Sequence, residues 1–342
     1  MKERIKARIQ AATQSGIQPV SQSGIQSVTQ LVARRVGCLL SAILLGALLS
    51  SMLSGCSGEQ EIALLGPDQK VPLQVAASNI ETEIETRAGI VTSGSMGVFR
   101  TTASGYPAQY NAQYTYNDGG WAPKDNANTI FLDGRVATLC AYYPVGSVTF
   151  TANSFIATLT AQKYDANKDM QYATTGGSNV TNLNPTASFA MVQAYSRVKL
   201  SIKRELAGTS NVSKVNLKNG TTFYASRTID ISTGTLGGSP TNGGWDYTFS
   251  KAISNSSNTE YDVLVPPQPV LSGLTITLTI DGVDCAVTVP SERFSSGNLD
   301  AGKQYSISLV IKDSAVSISG SINITDYTTD STDIKNDTPK EL

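Results

Sequence analysis

The side chains that could carry chemistry are few. No histidine occurs among the 342 residues. That absence removes the Ser-His-Asp and Cys-His nucleophiles and His-ligated zinc together. The four cysteines, Cys38, Cys56, Cys140 and Cys285, include no C-x-x-C pair. In DANKD (165–169), Asp165, Asn167 and Asp169 have the opening spacing of a calcium loop. The position that needs glycine is Met170 and the closing glutamate position is Gly176, so a polar turn is expected there. No Gly-rich phosphate loop follows a strand and opens a helix, and nothing in the spacing of the carboxylates supports a hydrolase. The sequence reads as a non-enzyme, with no catalytic residue, metal or cofactor expected.

Cys56 has the most distinctive setting. Arg34-Arg35 precede an apolar run from Leu39 to Leu53, and the run ends in Leu53-Ser54-Gly55-Cys56. Such a run is shorter than the about 20 residues a spanning helix needs, and suits the apolar part of a secretory signal. The last four residues resemble the bacterial lipobox, Leu-small-Gly-Cys. The resemblance implies cleavage between Gly55 and Cys56, with lipid added to Cys56. Residues 1–55 then form a lipoprotein signal peptide with a long n-region, and outer-membrane lipid is a partner through Cys56. A short buried helix that ends in cysteine is the other reading. The n-region carries an imperfect repeat, SGIQPVSQ (15–22) then SGIQSVTQ (23–30), and its length suggests that translation starts after Met1, for example at Val32. Residues 1–55 hold six basic groups and one acid, so of the overall −1 the remainder carries −6. An acidic body without a basic cluster argues against a nucleic-acid partner.

Beyond Cys56, a polar tether (SGEQE) leads to runs with a period of two. In LTITLTID (274–281), Leu274, Ile276, Leu278 and Ile280 share one face and threonines share the other. SRVKLSIK (196–203) points Val198, Leu200 and Ile202 one way and Arg197, Lys199 and Lys203 the other. YSISLVIK (305–312) aligns Tyr305, Ile307, Leu309 and Ile311. VSISGSINI (316–324) aligns Val316, Ile318, Ile322 and Ile324, with Gly320 in step. Each is a half-buried strand. Turn residues separate them, as in Asn117-Asp118-Gly119-Gly120 and Asp281-Gly282. Many half-buried strands and no capped helical period imply an all-β protein of antiparallel sandwiches. The length implies two in tandem. Residues 56–84 read as the lipidated tether and an N-terminal strand. Residues 85–185 read as the N-terminal β-sandwich domain, and 186–342 as the C-terminal β-sandwich domain with a polar tail. The polar stretch Thr174 to Thr186 lies between them. Cys140 and Cys285 sit in strand-like runs and are expected as two buried thiols rather than a disulfide.

Several stretches occur together in a fixed order: YTYNDGGWAP (114–123), ATLCAYYPV (137–145), DMQYAT (169–174), MVQAYSRVKLSI (191–202), VLVPPQ (263–268) and AGKQYSISLVI (301–311). In this order they resemble the fimbrillin family of Bacteroidales, the FimA/Mfa-like lipoprotein pilins, over roughly residues 85–325. Many members carry a histidine where Gln193 stands. On their own terms, Asn-Asp-Gly-Gly should build a hairpin tip and Trp121 should restart the strand. Tyr142 and Tyr143 should point to opposite faces, with Pro144 ending the ladder.

The resemblance implies two tandem transthyretin-like sandwiches after a lipoprotein signal peptide, placed at the cell outer membrane and cell surface. It also implies a structural or accessory subunit of a fimbrium, with other fimbrial subunits as partners and host or bacterial surface ligands in reach. Family members lose an N-terminal strand to a protease, and a strand of another subunit fills the gap. The Arg87-Ala88 step resembles the processing site, with Lys70 a weaker candidate. Residues 71–86 would then be removed, including Leu73, Val75, Ile80 and Ile84. An ordinary exposed arginine on an early strand explains Arg87 equally well. Val316, Ile318, Ile322 and Ile324 are candidates for the inserted strand, and they also read as the last strand of their own sheet. The tail from Tyr327 has only Ile334 and Leu342 as aliphatic groups, which favours a tip or anchor over a stalk subunit. The alternative is a lipid-anchored, glycan-binding surface lipoprotein that does not polymerise, with aromatic side chains stacking on sugar.

Overall fold

The computed structural model describes residues 66–76, 79–80, 93–312 and 315–326, and these are almost wholly strand and turn. In chain order the first strands are β1 (Val71–Pro72), β2 (Gln74–Val75), β3 (Asn79–Ile80), β4 (Ser95–Arg100), β5 (Gln109–Asn117), β6 (Gly120–Pro123) and β7 (Phe131–Leu132). Then come β8 (Leu139–Tyr143), β9 (Thr149–Phe150), β10 (Ile156–Thr160), β11 (Gln162–Lys163), β12 (Gln171–Ala173), β13 (Thr186–Ala187) and β14 (Ala190–Gln193).

Nine of these form one sheet in the order β13-β2-β6-β5-β4-β8-β12-β14-β3. Its two ends meet. β2 and β3 are successive pieces of one run, and β13 and β14 are successive pieces of another. β2 lies parallel to β13, with Val75 opposite Ala187, and β3 lies parallel to β14, with Ile80 opposite Met191. The sheet therefore closes on itself, and the N-terminal run is one stave of the ring.

Closure has a packing consequence. Met96, Val98, Leu139, Ala141 and Tyr143 face inward, and the inner cluster includes Leu73, Val75, Trp121, Phe189 and Met191. The intervening Phe99, Cys140 and Tyr142 face outward into a second cluster. β8 is thus buried on both faces, which is why its sequence, LCAYY, is apolar without alternation. Tyr142 and Tyr143 leave the strand on opposite sides, as their adjacency requires.

The outer cluster needs a cover. It comes from a sheet in the order β18-β17-β10-β9, where β17 is Ser226–Asp230 and β18 is Thr235–Leu236. The division suggested by composition at residues 185 and 186 is therefore crossed several times. β13 and β14 complete the ring begun before them, and β17 pairs with β10 from Ile156↔Asp230 to Thr160↔Ser226.

The remaining strands are β15 (Ser196–Arg204), β16 (Thr209–Lys218), β19 (Trp245–Ser254), β20 (Thr259–Val265), β21 (Gln268–Pro269), β22 (Leu274–Ile280), β23 (Val283–Val289), β24 (Asn298–Leu299), β25 (Lys303–Lys312), β26 (Ala315–Ile318) and β27 (Asn323–Asp326). They build a sandwich. One sheet runs β11-β20-β15-β25-β26, with β27 also on β25, and the other runs β19-β16-β22-β23. The period-two runs supply its core: Val198, Leu200 and Ile202 from β15, Leu274 to Ile280 from β22, and Tyr305 to Ile311 from β25. Each fully buried aliphatic side chain contributes about 1.5–3 kcal/mol. Pairing among the described strands is antiparallel apart from β2/β13, β3/β14 and β15/β25.

The two expected hairpin tips form. Asp118 and Gly119 have φ of 48° and 88° between the paired Asn117 and Gly120. Asp281 and Gly282 have φ of 50° and 84° between Ile280 and Val283. Two successive positive φ values define a turn whose twist matches that of the flanking strands.

Candidate functional site

The sequence VPLQVAASNI (71–80) holds the N-terminal run in place by two devices. The first is alternation. Leu73 and Val75 are buried in the ring, whereas Gln74 between them is exposed. Val75 sits opposite Trp121. The Trp121 indole meets Tyr116 and Tyr143 edge-on at 5.4 and 6.3 Å between ring centres. The second device is backbone pairing on both flanks. Val71 and Pro72 pair with Leu132 and Phe131. The Leu73 N–H donates to Ile130 O at 2.7 Å, Gln74 N–H to Pro185 O at 2.8 Å and Ala76 N–H to Ala187 O at 2.8 Å. The run is thus threaded between two neighbours rather than laid on an edge.

The segment before it is a turn from Gly66 to Gln69, closed by the Gln69 N–H on Gly66 O at 3.1 Å. Two loops grip it. Asn182, itself buried, donates its side-chain amide to Gly66 O at 2.9 Å and to Gln69 O at 2.8 Å. From the other loop the Gly134 N–H donates to Pro67 O at 2.7 Å. The loops are tied to each other by the Asn182 N–H on Asp133 O at 2.9 Å.

Tyr106 braces that second loop. Its hydroxyl accepts from the Asp133 N–H at 2.8 Å and donates to Arg135 O at 3.0 Å. The Arg100 and Arg135 guanidinium carbons lie 4.6 and 4.4 Å from its ring centre. Arg135 also pairs with the Asp133 carboxylate at 2.6 Å, and this bond holds the Asp133 carboxyl well below the usual carboxylate range. Burial raises the Tyr106 phenol above its ordinary value and lowers the Arg100 guanidinium below its own, because desolvation disfavours the charged form of each.

The sequence-derived candidates fall as follows. Gly55, Cys56, Arg87, Ala88 and Ile84 lie outside the described residues. Lys70 is exposed and stands between the gripped turn and β1. Val316 and Ile318 are on β26, Ile322 precedes β27 and Ile324 is on it, all partly buried against the sandwich core. Both strands pair with β25, through Ile311↔Val316, Leu309↔Ile318 and Tyr305↔Ile324, so in this structure they form the last strand of their own sheet. The run is not continuous. Gly320 has φ of 78° and breaks it, because without a Cβ it enters the left-handed region where a strand residue does not go.

The remaining chemistry-bearing residues pack. Cys140 and Cys285 lie in different core clusters and no disulfide joins them. Burial pushes the Cys140 thiol up to about 12. In DANKD the Asn167 N–H donates to the Asp165 carboxylate at 3.0 Å and Lys168 N–H donates to Asp165 O at 2.9 Å, a polar turn, and Asp169 is buried. No group of metal-binding side chains occurs among the described residues. Trp121, Tyr142 and Tyr143, possible sugar platforms by composition, are buried. Asn182 and the Tyr106 brace gave no sequence signal. An asparagine in a polar turn and a tyrosine beside a proline are ordinary, and only the distant loops they meet give them a role.

A closed sheet with its first run threaded between two strands, joined to a sandwich, defines an all-β protein of elaborate strand exchange between layers. The chain belongs to the Fimbrillin-like family, whose profile matches residues 85–326. The run 71–80 precedes the matched part. Among solved structures, the chain is similar to a candidate cell adhesion protein of Bacteroides uniformis, with TM-score 0.52 and 17% identity over 76% of this chain and 99% of that one. It is similarly close to one of Bacteroides ovatus, with TM-score 0.53 and 17% identity over 77% of this chain and 99% of that one. At these identities the likeness is one of fold. No curated protein matches the sequence.

Proposed function

We propose that this protein is a surface subunit of a fimbrium, brought to the outer membrane through lipid on Cys56, and that its N-terminal run is a removable strand. The observation that carries the reading is the position of residues 71–80. The run closes the ring, buries Leu73 and Val75, and from residues 71–76 donates backbone hydrogen bonds to both flanks. Cleavage after Arg87 would detach it together with the lipid. The slot left behind would offer unpaired backbone groups and an apolar floor, which is what an added strand needs. The partner is another fimbrial subunit that supplies such a strand. The polar tail after residue 326 offers few apolar groups for a donor strand, which supports an accessory role at the tip or the anchor.

The test is to treat the lipidated protein with an arginine-specific protease and look for SDS-resistant ladders, alone and with partner subunits. Ladders that depend on the cut support strand addition. A cut protein that stays monomeric with every partner subunit counts decisively against it.

A further inference from the structure

The Gly66–Gln69 turn is held by groups from two distant loops. Asn182 is a buried amide with both donors spent on carbonyls of one short segment, more than a hundred residues away in sequence. Gly134 closes the other side. A Cβ added there would lie 3.0 Å from the Pro67 Cα and 3.0 Å from its carbonyl oxygen, so any larger residue would have to push the turn away. The Tyr106 brace fixes the loop that carries Gly134. A buried amide that loses its partners is costly, so the turn and its two loops open together.

We infer that Asn182 and Gly134 form a clamp that controls when the N-terminal run leaves the ring. The clamp sits at the start of the run, so peeling the run from that end begins with opening it. Lys70 shows the effect. Its side chain is in water, but its backbone lies between Gln69, held by Asn182, and Val71, paired with Leu132. A protease must draw several residues into extended form, so the Lys70–Val71 bond is cut only from the opened state. The gating role rests on the strand-removal reading above; the clamp itself does not.

The experiment uses the full chain and two variants. Asn182→Asp keeps the shape but loses both donors and sets a carboxylate against two carbonyls. Gly134→Ala pushes the turn from the opposite side. Trypsin scission at Lys70–Val71 is followed by mass spectrometry, with Lys199–Leu200 in β15 as the reporter of global unfolding. Both variants should speed the first cut roughly tenfold or more and leave the second unchanged. Equal rates at Lys70–Val71 in all three proteins would overturn the clamp, and so would a matching rise at Lys199–Leu200. In a second arm an arginine-specific protease cuts at Arg87, and release of the severed run is timed on native gels. Faster release in both variants supports gating, and unchanged release removes it. Faster release without any assembly leaves the clamp standing and overturns the fimbrial reading instead.

Discussion

At the residue scale, each notable side chain is explained by where it packs. Leu73 is the clearest case, because it is buried inside the ring on a run with only a few apolar anchors. Leu73→Ala should lower stability by roughly 2–5 kcal/mol if the site does not collapse. The loss should appear as a lower Tm together with faster amide exchange at Leu73, Gln74 and Ala76. A change confined to Tm would place the damage elsewhere. Cys140 makes a second prediction. With its thiol pushed up to about 12 by burial, it should resist alkylation at neutral pH until the protein unfolds. Rapid native labelling at Cys140 would contradict its position between the two layers.

At the element scale, the loop of Asp133 to Arg135 links the clamp to solvent conditions. The Arg135 guanidinium depresses the Asp133 carboxyl below its unfolded value of about 3.9. The folded form therefore binds its proton less readily than the unfolded one. The stability this contributes is complete above about pH 4 and is lost as pH falls through the folded pKa. Acidification below about pH 4 should loosen the loop and raise exchange at Gly134, and Asp133→Asn should remove that dependence. An Asp133 titration midpoint at or above about 4 would rule out the ion pair as drawn. The strands themselves are legible in their sequences. LTITLTI, SRVKLSI and YSISLVI alternate because one face meets the sandwich core and the other meets water. VSISGSINI alternates as well, but Gly320 breaks it, and alternation does not reveal which φ a glycine adopts.

At the scale of the whole molecule, the informative feature is the crossing of layers. The ring is completed by β13 and β14, and its outer face is covered by β17 from still further along the chain. β8 is apolar at every position because clusters on both of its faces bury it. The run 71–80 closes the ring ahead of the part that matches the family. If the proposed cleavage after Arg87 removes this run, Arg87→Ala should leave a longer, lipid-bearing form on the cell, read by the N-terminus of surface protein. If the variant and the parent share one mature N-terminus, processing does not occur at Arg87.

Local sequence alone is enough for the all-β class, the alternating strands at 196–203, 274–281 and 305–312, the turns at Asp118-Gly119 and Asp281-Gly282, and the opposed directions of Tyr142 and Tyr143. These follow from local rules, since side-chain direction alternates along a strand and turn type depends on residues that tolerate positive φ. Tertiary structure alone decided that the sheet closes, that β17 crosses to the first half, and that Asn182 and Gly134 meet the turn at Gly66–Gln69. Those contacts join segments far apart in the chain, and pairing between distant strands is selected by the packing of the whole rather than by the residues on either one.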